Sequence, residues 1–229
     1  MDSSVQEVLE LLKSHANEDY AIRMKAYMKG HFDFFGVQAP QRKKLIKSFV
    51  QSHKKSEFHE IKNMVSQLWM YPRRDGQYVA MELLAGHLKT LEKVDLSFIE
   101  SLISSKSWWD TVDWVAGHAL GKYFMKFPEM RLKTIEKWMQ TKDIWLKRSA
   151  IIHQLFYKEK TDHDLLAALI LEQKDSKEFF INKASGWALR QYSKTNPQWV
   201  ASFIEEHNTE LSKLTSKEGM KWIEKIDNL

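Results

Sequence analysis

The chain has 229 residues, 43% of them hydrophobic and 12% aromatic with nine Trp, so it can bury a sizeable core. Eight Gly and four Pro are too few for a sandwich or barrel with many tight turns, and the absence of Cys excludes disulfides, thiolate catalysis and Cys-ligated zinc or iron–sulfur centres. A net charge of +5 and an isoelectric point near 9.1 permit a polyanionic partner without specifying one.

Residues 1–14 carry acids and no long apolar run, so no signal peptide is expected. No segment stays apolar long enough to span a bilayer. With the missing cysteines, this gives the expectation of a cytoplasmic protein away from membranes. The apolar period is helical almost throughout. It predicts helices over 3–15, 18–29, 39–53, 57–70, 73–88, 95–104, 108–122, 128–140, 143–157, 162–174, 177–193, 197–207 and 212–225. Pro40, Pro72, Pro128 and Pro197 each fall at an expected first turn, where a missing N–H is harmless. Ser107, three residues before Asp110, has the form of a capping box, so the helix at 108 is expected to start there. Connections are short and no Ser/Gly/Pro-rich linker interrupts them, which predicts one domain over 1–229.

A repeat runs through the middle of the chain. Pro72-Arg73, Trp108-Trp109, Ile144-Trp145 and Phe180-Ile181 stand 36 residues apart. The same offset relates Ala80, Ala116, Ile152 and Ala188, and again Leu84, Leu120, Phe156 and Tyr192. Two helices per unit at this period predict an all-α solenoid of HEAT or armadillo type. Such a superhelix would present the first two turns of each second helix on one concave surface, and those turns are rich in Lys, Arg and Trp. Arg73 and Arg74 open one. Trp109 and Asp113 follow, on a shared face at i and i+4. Next come Trp145, Lys147 and Arg148, then Lys183, Trp187 and Arg190. Arg42-Lys43-Lys44 with Lys47, Lys54 and Lys55 extends the positive run. Cations interleaved with rings suit nucleic acid.

Plainer readings compete for the same residues. A Trp at helical spacing usually belongs to a core, and Trp69, Trp138, Trp199 and Trp222 are assigned there. Lys and Arg on such helices often form only a solvated face. Asp113 could be a structural ion pair with Arg148 or Lys147 one repeat later. His118 and His153 read as helix residues rather than ligands, and no His–carboxylate set makes a metal site. Neither a phosphate-cradling Gly loop nor a nucleophile elbow occurs.

The sequence resembles the DNA alkylation repair glycosylases of the bacterial AlkD type, built of HEAT-like repeats. The resemblance starts at Tyr27-Met28-Lys29-Gly30-His31-Phe32 and Phe35-Gly36-Val37-Gln38-Ala39-Pro40. It continues through Lys106-Ser107-Trp108-Trp109-Asp110-Thr111-Val112-Asp113, Ile144-Trp145-Leu146-Lys147-Arg148 and Ser176-Lys177-Glu178-Phe179-Phe180-Ile181, closing with Lys183-Ala184-Ser185-Gly186-Trp187-Ala188-Leu189-Arg190. Gly30, Lys43, Asn182 and Ser185 depart from the family pattern at flanking positions. The resemblance implies a glycosylase that hydrolyses the N-glycosidic bond of cationic N3- or N7-alkylated purines in duplex DNA. It places the key acid on Asp113, the active-site arginine on Arg148, the groove tryptophans on Trp109 and Trp187, and a further contact on Tyr27. Arg190, Lys147, Lys183 and Arg42 are expected to meet DNA. No cofactor or metal is implied. The protein would act as a monomer in the cytoplasm, at the bacterial nucleoid during repair. Two other readings remain open: a non-catalytic DNA binder of the same family and a HEAT-type protein-interaction scaffold.

Overall fold

The computed structural model describes residues 1–227. It is all-α. Among the described residues there is no β-strand, only an isolated bridge between Asp33 and Arg73. The chain divides into two compact units, Met1–Phe98 and a second that begins at Ile99. The first holds α1 (Ser3–Ser14), α2 (Glu18–Tyr27), α3 (Ala39–Ser52), α4 (Phe58–Met70) and α5 (Asp75–Ala85). The second holds most of α6 (Leu96–Ser104), then α7 (Trp109–Trp114), α8 (Gly121–Lys126), α9 (Arg131–Met139), α10 (Ile144–Ile152), α11 (His163–Glu172), α12 (Phe179–Tyr192), α13 (Pro197–Glu206) and α14 (Lys213–Asp227).

Local chemistry sets most of the helix starts. The side chains of Asp2, Asn17, Asp143, Asp162 and Asn196 each accept from backbone N–H groups of the first turn that follows them. Pro40 and Pro197 occupy the first turns of α3 and α13. Ser107 does not cap α7. That helix begins after Trp108, and the Ser107 hydroxyl donates instead to the Ile103 carbonyl at 2.6 Å, closing the end of α6. Lys106, with φ of 49°, turns the chain between the two helices. A short hydroxyl this close to a finished helix finds the carbonyl four residues back before it can reach forward. The helix expected over 108–122 is also interrupted by a π-helical stretch, Val115–Leu120, between α7 and α8.

In the first unit α4 packs on α5 and α1 on α3, around Val5, Leu12, Ile61, Leu68 and Trp69. The segment between α2 and α3 is stitched to the start of α5. The Arg74 N–H donates to the Asp33 carbonyl at 2.8 Å, and the Phe35 N–H donates to the buried Asp75 carboxylate at 2.7 Å. Gly36 adopts φ of 84°, and a Cβ there would lie 2.0 Å from the Asn17 carbonyl oxygen, so only glycine lets this segment close on α2. Arg74, expected on an exposed face, is fully buried with its guanidinium 3.9 Å from the centre of the Phe32 ring. Its long stem and flat head fill core space that the apolar pattern could not reveal.

In the second unit α12 packs on α14 and α10, and α10 on α7 and α9. Repeat positions Ala80, Ala116, Ile152 and Ala188 are all buried. Leu84, Leu120 and Tyr192 are buried too, whereas Phe156 is 49% exposed and stacks on His118 with ring centres 4.6 Å apart. Polar links inside this unit step by one repeat: Tyr157 to Gly121 at a separation of 36 residues, Arg148 to Asp113 and Lys183 to Glu218 at 35. A period read as apolar spacing is thus also a period of side-chain partnership.

Candidate functional site

The second unit brings six of the expected residues into one cleft. Trp109 and Asp113 come from α7, Arg148 from α10, and Lys183, Trp187 and Arg190 from α12, around a cavity of about 240 Å³ with Phe179 and Phe180 completing its lining. On α7 the i, i+4 spacing puts Trp109 and Asp113 on the same face. The π-helical stretch begins two residues after Asp113, so the helix is rewound immediately beyond the carboxylate. Asp143 caps α10 through Trp145 and Leu146 and so fixes the turn that carries Arg148.

Asp113 and Arg148 form a two-pronged pair. Arg148 Nε donates to Asp113 Oδ1 at 2.7 Å and Nη2 to Oδ2 at 2.8 Å, while Nη1 donates to the Phe180 carbonyl at 2.6 Å. The arginine side chain is only 4% exposed and the aspartate 15%, so the carboxylate is the end of the pair that faces the cleft. Fork-to-fork geometry fixes the carboxylate plane as well as its position. Burial pushes the Asp113 carboxyl above its ordinary value, against the opposing hydrogen bonds and charge of Arg148.

The cations from α12 are tied to a residue the sequence did not single out. Glu218 on α14 is 2% exposed, with Lys183 Nζ at 2.5 Å, Arg190 Nη1 at 2.5 Å and Lys221 Nζ at 2.7 Å. Burial alone would raise the Glu218 carboxyl, but the hydrogen bonds from Lys183 and Lys221 and the charge of Arg190 hold it below its ordinary value. Gly186 permits the close approach: a Cβ there would lie 2.5 Å from the Glu218 Cβ. Glu218 gave no sequence signal, because it is one acid in a helix dense in Lys and Glu. Phe179, 57% exposed at the cleft, could have been read from the matched segment Ser176–Ile181.

The remaining expected residues lie elsewhere. Lys147 is half-buried and outside the cleft lining. Trp145 packs with Trp108 and Phe180, with ring centres 5.6 and 4.9 Å away. Tyr27 and Arg42 belong to the first unit; Tyr27 is 67% exposed, and Arg42, expected to be a surface cation, is only 7% exposed. Trp69 and Trp138 are buried as assigned. Among the described residues no group of three His, Asp or Glu is placed to hold a metal ion, and no helix is long and apolar enough to cross a membrane.

An all-α repeat scaffold whose small cleft is walled by Trp109, Phe179, Phe180 and Trp187, with the Asp113 carboxylate and the cations Arg148, Lys183 and Arg190 in its lining, defines a helical-repeat protein with an aromatic cleft around one largely buried acid. The family model for DNA alkylation repair enzymes matches residues 8–223. A solved structure described as a predicted DNA alkylation repair enzyme from Enterococcus faecalis is 33% identical, over 90% of this chain and 96% of that one, with a TM-score of 0.83. Fold likeness extends to smu.31 from Streptococcus mutans UA159, with 17% identity, 95% and 98% coverage and a TM-score of 0.62. It extends also to AlkD2 from Streptococcus mutans, with 21% identity, 76% and 86% coverage and a TM-score of 0.58. No curated protein matches the sequence. The chain belongs to the DNA alkylation repair enzyme family.

Proposed function

We propose that this protein is a DNA glycosylase that hydrolyses the N-glycosidic bond of N3- and N7-alkylated purines in duplex DNA. The observation that carries the reading is the Asp113 carboxylate, fixed by Arg148 and facing a cleft between Trp109 and Trp187. Alkylation at N3 or N7 makes the base cationic and a good leaving group, so the departing base needs no general acid. The reaction needs negative charge near the sugar as it becomes oxocarbenium-like, and a positioned water. Asp113 supplies the charge and can accept the water's proton. Arg148 is a positioning residue: its three hydrogen bonds are spent on Asp113 and the Phe180 carbonyl. Trp109 and Trp187 offer ring faces to a positively charged nucleotide. Lys183 and Arg190 stand at the same cleft for phosphate, their charge shared with Glu218.

One observation favours a second reading, a non-catalytic DNA binder of the same family: both Asp113 oxygens are already engaged by Arg148, as in a structural ion pair. A duplex with a single 7-methylguanine separates the two. Wild type should generate alkali-labile abasic sites, and Asp113→Asn should lose about a hundredfold or more of the rate while still binding duplex. Undiminished excision by the variant would remove Asp113 from the chemistry. Binding without excision by wild type would make the protein a binder.

A further inference from the structure

A second recess, of about 400 Å³, lies in the first unit between α2, the start of α3 and α5. Its walls are rings and thioethers: Tyr20, Met24, Tyr27, Phe34 and Tyr78. Helix α2 buries none of its residues, and Tyr20 and Tyr27 are 37% and 67% exposed. Of the two arginines at this recess, Arg23 is exposed and Arg42 is buried. The Arg42 guanidinium lies 4.4 Å from the centre of the Tyr78 ring. Nη1 makes a long 3.3 Å bond to the Val37 carbonyl, and Nε has no hydrogen-bond partner. Asp75 and Glu82 influence Arg42 through space without a direct salt bridge: buried Asp75 accepts from Phe35 through one oxygen and keeps the other unpartnered, and Glu82 pairs with Lys43 at 3.3 Å. Among the described residues no carboxylate lines the recess. Arg42 thus puts a weakly held guanidinium into the wall of an otherwise apolar recess, and its Nη donors, not the solvent-shielded Nε, are those a ligand there would meet.

We propose that this recess is a second binding site, which takes an unstacked neutral nucleobase presenting an acceptor edge, guanine above all. The proposal rests on the reading of the protein as one that binds DNA. Aromatic walls take the faces of any base. Arg42 discriminates at the edge: a guanidinium has donors only and matches guanine O6 and N7, whereas the amino groups of adenine and cytosine need acceptors. A cationic alkylated base is repelled by Arg42, while the cleft around Asp113 attracts it. The two sites therefore sort bases by charge, the lesion to one and an undamaged base to the other.

Fluorescence anisotropy with the full-length protein tests this, using duplexes that differ only in one unpaired base, guanine or adenine. Wild type should bind the guanine bulge about fivefold or more tightly than the adenine bulge, the lower end of a bidentate arginine contact. Arg42→Met should abolish that ratio; because it also takes a cation away from the buried Asp75 carboxylate it should lower the melting temperature, and the two duplexes are compared well below the variant's transition. Tyr20→Ala should reduce the advantage of either bulged duplex over a fully paired one. Equal affinity for the two bulges in wild type, or a ratio that survives Arg42→Met, would overturn the proposal. A guanine ratio in a protein that excises no 7-methylguanine would leave the recess standing and the glycosylase reading fallen; excision without the ratio would do the reverse.

Discussion

Replacing Arg148 with Met leaves the Asp113 carboxylate buried at 15% exposure with its cation gone and much of the side-chain volume kept. Three hydrogen bonds go, two to the carboxylate and one to the Phe180 carbonyl. Removing one partner of a buried ion pair costs about 3–5 kcal/mol, most of it the stranded charge rather than the lost attraction. For a chain of this size that corresponds to a fall of roughly 6–20 °C in Tm. The cost should also depend on pH. Burial already raises the Asp113 carboxyl, and without Arg148 nothing opposes it. The folded variant then takes up a proton more readily than the unfolded chain, so its stability relative to wild type recovers as pH falls, by up to about 1.4 kcal/mol per pH unit. Urea titrations of both proteins at pH 8 and pH 5 measure the gap. The double variant Asp113→Asn, Arg148→Met should be more stable than Arg148→Met alone, since it no longer strands a charge. A gap under about 1 kcal/mol, or one that is the same at both pH values, would refute the argument that Arg148 exists to hold a buried carboxylate.

If Asp113 acts as the carboxylate, single-turnover excision must fall as pH drops through its folded value. That acid limb should lie above the ordinary aspartate range, because burial is its leading cause; a limb at the ordinary value would mean another group controls the rate. His153 is fully buried, bonded through Nδ1 to the Ala150 carbonyl, and burial pushes it down to about 4 from 6.5. The unfolded chain protonates first on acidification, so stability is complete above about pH 6.5 and declines towards pH 4, by about 3 kcal/mol in all. His153→Gln should flatten that part of the stability–pH curve, and an unchanged slope would assign the loss to other groups. Glu218→Gln keeps the shape but removes the charge that Lys183 and Arg190 share. Duplex binding should tighten, and the slope of log K against log salt should steepen by about one; no change in slope would show that these cations do not meet phosphate.

Most of the helical organisation was legible in the sequence because its causes are local. Caps such as Asp143 and Asn196, the prolines at 40 and 197, and a 3.6-residue apolar period act within a turn or two of where they stand. The 36-residue repeat was legible for a similar reason: each unit must bury the same positions, and Ala80, Ala116, Ile152 and Ala188 are all buried. The i, i+4 relation put Trp109 and Asp113 on one face before any packing was known. Partnership was not legible. Whether Asp113 meets Arg148 or Lys147 turns on which of two adjacent residues points back across the repeat, a matter of helix rotation that sequence leaves open. Arg42 and Arg74 read as a surface run because a charged residue is usually solvated, yet both are buried against the rings of Tyr78 and Phe32. Glu218 reaches Lys183 and Arg190 only because Gly186 admits α14 against α12. The sequence determined where helices run and which faces are apolar. The tertiary structure decided which charges are removed from water and by what they are held, since desolvation depends on neighbours distant in the chain.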